Sequence, residues 1–219
     1  MQHSEEKIIQ LTEDFVKETL NDAEGGHDWW HVYRVRKLAL RIGKKENANL
    51  FVVQLAALLH DIADPKFNDG DEEIGPSLAR EFLNRLAVDQ EITDHIDAII
   101  RNISFHKTFE TKKFNSLELQ VVQDADRLDA IGAIGIARTF NYGGHKNFPL
   151  YDPDIKPENH LNKESYKNSK APTLNHFYEK LFLLKDMMNT KTGKQMAEER
   201  HRFMEVFVER FLKEWEGIM

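Results

Sequence analysis

Histidine and aspartate residues occur at three separate places in the sequence where apolar side chains are expected. His60, Asp61 and Asp64 end a nearly all-apolar helical stretch, and His31 and Asp124 each fall on an apolar helical stripe. Ionisable groups in such surroundings are costly unless they are paired or bind a metal ion. We therefore hypothesise that four of these side chains converge on one divalent metal, namely His31, His60, Asp61 and Asp124.

The second predicted helix places His31 on its apolar side. Val35, Leu38 and Ile42 form one stripe, and four residues before Val35 the stripe reaches His31. From this helix alone, His31 is either a hydrogen-bonded core histidine or a metal ligand. His27 lies one turn earlier, in a loop that the preceding glycine pair predicts.

The sixth predicted helix carries Asp124 in the middle of its apolar face, which is formed by Leu117, Val121, Leu128, Ile131 and Gly135. An unpaired carboxylate there would cost several kcal/mol, so Asp124 is expected either to ligate a metal or to form a buried salt bridge with Arg127 or Arg138. Asp126 and Asp129 lie off this face and are expected to be exposed or paired.

The adjacent pair His60-Asp61 is informative only in combination with the other two positions. Neighbouring residues on a helix point about 100° apart, so the pair differs from one-face metal motifs such as His-Glu-x-x-His. A metal at the flank of the helix remains within reach of both side chains, because their lengths differ.

The order His31, His60-Asp61, Asp124 resembles the H…HD…D signature of the HD-domain superfamily of metal-dependent phosphohydrolases. Three phrases carry the resemblance, which spans residues 26–140: His-Asp-Trp-Trp-His-Val-Tyr-Arg-Val from His27, Leu-Leu-His-Asp-Ile-Ala-Asp from Leu58, and Gln-Asp-Ala-Asp-Arg-Leu-Asp-Ala-Ile-Gly from Gln123. The C-terminal part, with His-Phe-Tyr-Glu-Lys-Leu from His176, looks like the small bacterial single-domain branch. That branch includes manganese-dependent nucleoside-triphosphate pyrophosphohydrolases.

The resemblance implies one all-α domain over residues 1–219 and hydrolysis of a phosphate ester or anhydride. The metal-site core would cover residues 26–140, a lid-like loop 141–172, and C-terminal helices 173–216. It also implies a divalent metal held by His31, His60, Asp61 and Asp124. Two imidazoles and two carboxylates favour Mn²⁺, Fe²⁺, Co²⁺, Ni²⁺ or Zn²⁺ over Mg²⁺, and we expect Mn²⁺.

Further residues have predicted roles around this metal. Asp64, one turn after Asp61, is either the base that takes a proton from metal-bound water or a helix-end residue before Pro65. The predicted phosphate-binding residues are His27, Lys107, Arg127 and Arg138, and Lys107 lies in a phrase resembling the Ser-Phe-x-Lys of this branch. The roles of His106 and His145 are left open, and the remaining histidines are expected at the surface or in packing.

The resulting hypothesis is an enzyme that splits a nucleoside triphosphate into monophosphate and pyrophosphate. The alternatives are a phosphomonoesterase acting on nucleoside monophosphates or an alarmone hydrolase, and, from another class, a nucleotide-binding regulatory module with a structural metal. The pyrophosphate or orthophosphate product distinguishes the enzymatic alternatives.

Helical periodicity predicts the elements that position these residues, and no segment shows strand alternation. The predicted helices cover about 4–20, 28–42, 48–62, 76–86, 89–103, 116–140, 173–189 and 193–215, with a polar surface loop at 66–75. The irregular segment 141–172 is rich in aromatic residues and lysines, which suits either a lid over an anionic, ring-bearing ligand or a disordered insertion.

Composition limits the class of protein. The 219 residues are 41% hydrophobic and 31% charged, which is typical of a globular domain. The net charge of −7 argues against nucleic-acid binding, and the absence of cysteine excludes disulfides and thiolate metal sites. Neither a signal segment nor a membrane-spanning run is visible, so a cytoplasmic location is expected, with a small phosphorylated molecule as partner and the oligomeric state open.

Overall fold

The computed structural model describes residues 3–21, 28–63, 71, 73–103, 114–158 and 171–218, and these residues form helices and no strands. The all-α prediction is therefore confirmed. No helix in the described ranges is long and apolar enough to cross a membrane. The helices are α1 (Glu5–Thr19), α2 (Trp29–Glu46), α3 (Leu50–Leu59), α4 (Ile74–Arg85), α5 (Gln90–Asn102), α6 (Leu117–Asp129), α7 (Gly132–His145), α8 (Asn175–Glu179), a 3₁₀ helix (Leu181–Met187) and α9 (Lys191–Trp215).

The chain forms two compact units, residues 1–125 and residues 126–219. In the first unit, α3 is the central helix and packs against α1, α2 and α5. Its residues 55–59 are fully buried, as the apolar sequence of this stretch predicts. The organisation of the whole chain as one domain stays a prediction.

Helices α2 and α3 form a tight helical hairpin. Asn47 ends α2 in the left-handed conformation, with φ of 60°, and the Asn49 side chain caps α3 by accepting from the backbone N–H groups of Phe51 and Val52. The predicted end of α2 before Gly43 is wrong. A Cβ atom on Gly43 would lie 3.1 Å from a methyl group of Leu50, so this glycine allows the two helices to approach closely within a continuous helix.

The prediction of a single helix over 116–140 is also wrong, because α6 ends at Asp129 and α7 begins at Gly132. Gly132 has a φ of 75°, in the region that favours glycine. A Cβ atom there would lie 3.0 Å from the side chain of Arg200, and the Arg200 guanidinium donates to the Leu128 carbonyl oxygen. The break between α6 and α7 therefore coincides with the contact of Arg200 on α9, and apolar periodicity within one helix does not predict such a contact.

The second unit has an aromatic core in which Phe177 and Phe207 stack with ring centroids 5.8 Å apart. The single helix predicted over 173–189 is wrong, because α8 gives way to the 3₁₀ helix at Leu181. In the predicted irregular segment, residues 141–145 belong to α7, residues 146–158 contain no helix, and residues 159–170 lie outside the described part of the chain.

The remaining boundaries lie close to prediction, with two differences. Helix α3 ends at Leu59, three residues earlier than expected, and α4 begins at Ile74, within the predicted surface loop. Helices α1 and α5 begin directly after Ser4 and Asp89, whose side chains accept from backbone N–H groups of the first turn. These caps are local and are therefore visible in the sequence.

Candidate metal centre

The first turn of α2 fixes the position of His31. Asp28 is the N-cap, and its carboxylate accepts the backbone N–H of His31 at 2.9 Å. His31 is the third residue of the helix, and only 2% of its surface is exposed. The expected core-facing position of His31 is therefore confirmed.

The end of α3 orients His60. Its Nδ1 lies 2.9 Å from the Ala57 carbonyl oxygen, three residues earlier, and donates to it in the tautomer that this contact favours. In a neutral imidazole the other nitrogen, Nε2, then carries a lone pair, which is the arrangement common to metal-binding histidines. This Nε2 atom lies 3.3 Å from Nε2 of His31, with the ring planes inclined by 61°.

The spacing of these two nitrogens fits metal ligation. Two nitrogen ligands, each about 2.1 Å from one ion at an octahedral or tetrahedral angle, lie roughly 3.0–3.4 Å apart. The Oδ2 atom of Asp61 lies 3.8 Å from Nε2 of His31, and 15% of the Asp61 side chain is exposed. The structure thus brings the first three predicted ligands together.

Helix α6 carries two further acidic residues, Asp124 and Asp126. Asp124 is completely buried, as predicted, and its ligation of the metal stays a prediction. Asp126, two residues further along α6 and off its apolar stripe, is half-buried.

The two arginines predicted to bind phosphate have contacts within the second unit. Nη1 of Arg127 donates to the Met187 carbonyl oxygen at 2.6 Å, and 8% of Arg127 is exposed. Nη1 of Arg138 lies 2.5 Å from Oδ2 of Asp129, which is buried. Asp129 is therefore paired, as expected for it, whereas phosphate binding by the two arginines stays a prediction.

Four predicted functional residues lie outside the described part of the chain: His27, Asp64, His106 and Lys107. Their roles stay predictions. His145 is exposed at the last position of α7. Among the other histidines, His95 lies 2.9 Å from the Ser116 hydroxyl, and His201 packs edge-on against Phe182 with centroids 5.1 Å apart.

Comparison with known proteins identifies the family. A model described as the HD domain matches residues 29–131. The uncharacterized protein YpgQ of Bacillus subtilis is 41% identical over 213 residues, which cover 97% of this chain and 96% of YpgQ.

Two solved structures are similar over nearly their full lengths. An HD-superfamily hydrolase from Bacillus thuringiensis is 45% identical with a TM-score of 0.79, covering 97% of this chain and 99% of its own. The structure of B. subtilis YpgQ in complex with ADP has 38% identity and a TM-score of 0.77, covering 96% of each chain. The chain therefore belongs to the HD-domain family of metal-dependent phosphohydrolases.

Proposed function

We propose that this protein hydrolyses nucleotides, and specifically that it splits a nucleoside triphosphate into a monophosphate and pyrophosphate. The observation that carries the proposal is the 3.3 Å separation of Nε2 of His31 and Nε2 of His60, which suits a shared divalent ion. The ADP complex of YpgQ supports a nucleotide as the substrate class, because YpgQ is similar to this chain over nearly its whole length.

His31, His60, Asp61 and Asp124 would hold the ion. This nitrogen and oxygen set favours Mn²⁺, with Fe²⁺, Co²⁺, Ni²⁺, Zn²⁺ and Mg²⁺ as the other candidates. When bound, the ion supplies a water of lowered pKa and neutralises negative charge that develops on the phosphoryl group.

The remaining roles fall to side chains around the metal ligands. The Asp64 carboxylate would accept the proton of the attacking water, and His27, Lys107, Arg127 and Arg138 would bind the phosphate oxygens. Segment 141–172 would cover the base and sugar. We place the enzyme in the cytoplasm, and the net charge of −7 argues for a small nucleotide rather than a nucleic acid as its partner.

The test is to incubate the metal-stripped protein with a panel of nucleotides and Mn²⁺, Mg²⁺ or Co²⁺, with separate detection of pyrophosphate and orthophosphate. We expect pyrophosphate from triphosphates, with Mn²⁺ giving the highest rate. Orthophosphate from monophosphates would favour the phosphomonoesterase instead. No product from any nucleotide with any metal would favour a regulatory module that holds a structural ion.

A further inference from the structure

The first turn of α2 carries a cluster of three aromatic rings beside the candidate ligand His31. The ring of Tyr33 lies 6.2 Å from that of Trp29 and 5.8 Å from that of Trp30, measured between centroids. Trp30 is 60% exposed, which is the largest value for any large apolar side chain described in the first unit. A bulky, exposed indole directly precedes a buried metal-ligand candidate.

Cations lie over two of the three rings. Nζ of Lys17 lies 4.7 Å from the centroid of the Trp29 ring, and Nζ of Lys37 lies 5.4 Å from that of Tyr33. Within the described part of the chain, the only ring contact of Trp30 is the edge-type contact with Tyr33, at an interplanar angle of 77°. Because 60% of Trp30 is exposed, a large part of the indole surface is accessible to a ligand.

The chemistry of this face fits a planar heteroaromatic ring. An exposed indole is a large apolar surface, and aromatic side chains stack with nucleobases in proteins that bind single-stranded nucleic acids. Adjacent Cα atoms are about 3.8 Å apart and neighbouring side chains on a helix point about 100° apart, so the exposed indole of Trp30 lies to one side of the buried His31. A nucleotide has its base at one end and its phosphates at the other, which suits simultaneous contact with both places.

We propose that Trp30 is the stacking platform for the nucleobase of the substrate, an inference that rests on the proposed nucleotide hydrolysis. Stacking depends on the π-face that every base has, so the enzyme would accept several bases. Purines overlap the indole more extensively than pyrimidines do. Trp30 would therefore determine both the tolerance for different bases and a preference for purine nucleotides.

The kinetic test compares Trp30→Ala and Trp30→Phe with Trp215→Ala, which removes an indole that is 47% exposed on α9 in the second unit. We expect Trp30→Ala to raise KM for a purine triphosphate about tenfold with little change in kcat, because it removes one base–aromatic stack. Trp30→Phe should restore most of the lost affinity, and Trp215→Ala should behave as the wild type.

Inorganic tripolyphosphate is the control substrate, since it has phosphoanhydride bonds but no base. Its KM should be the same in the wild type and in Trp30→Ala. An unchanged KM for the purine triphosphate in Trp30→Ala would contradict base stacking by Trp30. An equal rise in KM for both substrates would contradict it as well. In either case the proposed hydrolysis would stand.

A binding experiment separates the platform from catalysis. The sequence contains three tryptophans, so the double variant with Trp29→Phe and Trp215→Phe leaves Trp30 as the single indole. With Mn²⁺ present, ADP should quench its fluorescence and tripolyphosphate should not. Quenching without any nucleotide turnover would overturn only the proposed hydrolysis. Turnover without quenching would overturn only the platform, and the absence of both would overturn both.

Discussion

The Nε2 atoms of His31 and His60 lie 3.3 Å apart, in a place where His31 is almost completely buried. The contact of Nδ1 of His60 with the Ala57 carbonyl oxygen favours the tautomer whose Nε2 is an acceptor. Two lone pairs facing each other at this distance would repel. The pair is therefore stable when His31 supplies a proton or when both nitrogens bind one cation, for which the Asp61 carboxylate, 3.8 Å from Nε2 of His31, would be a further ligand.

Metal binding should stabilise the wild-type fold and should depend on His60. A ligand that binds only the folded state at 100 times its Kd adds about 2.7 kcal/mol to the free energy of unfolding. We expect Mn²⁺ to raise the Tm of the metal-stripped wild type and to have a much smaller effect on His60→Gln. His145→Gln, at an exposed histidine, is the matched control and should respond like the wild type. Equal increases in Tm for wild type and His60→Gln would contradict the assignment.

The contribution of Asp61 can be measured against an exposed aspartate. Because Oδ2 of Asp61 lies 3.8 Å from Nε2 of His31, we expect Asp61→Asn to weaken Mn²⁺ binding by about 10–100-fold, which is typical of groups in or next to a coordination sphere. Equilibrium dialysis measures the change. Asp186→Asn, on the 3₁₀ helix, should leave the affinity unchanged. Wild-type affinity in Asp61→Asn would exclude Asp61 as a ligand of the metal.

Replacing Asp64 by asparagine tests proton transfer separately from metal binding. Replacement by asparagine removes the basic oxygen but keeps the size of the side chain, so turnover should be lost while Mn²⁺ still binds. Single-turnover kinetics and metal dialysis on the same protein provide the two measurements. An unchanged rate would exclude Asp64 from the reaction.

Low pH should weaken the ion pair between Arg80 on α4 and Asp94 on α5. The pKa of Asp94 is lowered by its hydrogen bond with Arg80, whose Nη1 lies 2.6 Å from Oδ1 of Asp94. This ion pair therefore contributes its full stability above the unfolded pKa, near 3.8, and loses it as the pH falls through the lower folded value. In urea titrations between pH 7 and pH 3, Asp94→Asn should lower the midpoint at pH 7 and reduce its acid dependence. Identical pH profiles for variant and wild type would contradict this.

Two neighbouring glycines in α7 should respond oppositely to alanine. A Cβ atom on Gly143 would lie 2.1 Å from the Thr173 hydroxyl oxygen, whereas no atom lies within 4 Å of one on Gly144. We expect Gly143→Ala to cost about 1–3 kcal/mol through overpacking. Gly144→Ala should stabilise the helix by roughly 0.5–1 kcal/mol, because glycine has the lower helix propensity. Chemical denaturation measures both, and a destabilised Gly144→Ala would contradict the prediction.

Features that depend on neighbouring residues in the sequence could be predicted. The caps at Ser4, Asp28 and Asp89 are satisfied by their own helices, so the starts of α1, α2 and α5 were correctly predicted. The apolar stripe of α2 likewise placed His31 in the interior. In each case the interaction that decides the structure lies within one helical turn.

Features that depend on distant residues could not be predicted. The break between α6 and α7 accompanies a contact of Arg200 with Gly132 and Leu128, which lie about seventy residues earlier in the chain. The 3.3 Å separation of the Nε2 atoms of His31 and His60 likewise depends on how α2 packs against α3, whereas periodicity describes only one helix at a time.

In the α2–α3 hairpin, the number of residues between the turn and each histidine determines whether the two imidazoles meet. His31 lies near the beginning of α2 and His60 directly follows α3, so the turn at Asn47 is at the opposite end from both. One residue inserted within α3 would shift His60 along the axis by about 1.5 Å and rotate it by about 100° relative to the rest of that helix. The imidazole would then point away from His31, and the 3.3 Å approach of the two Nε2 atoms would be lost.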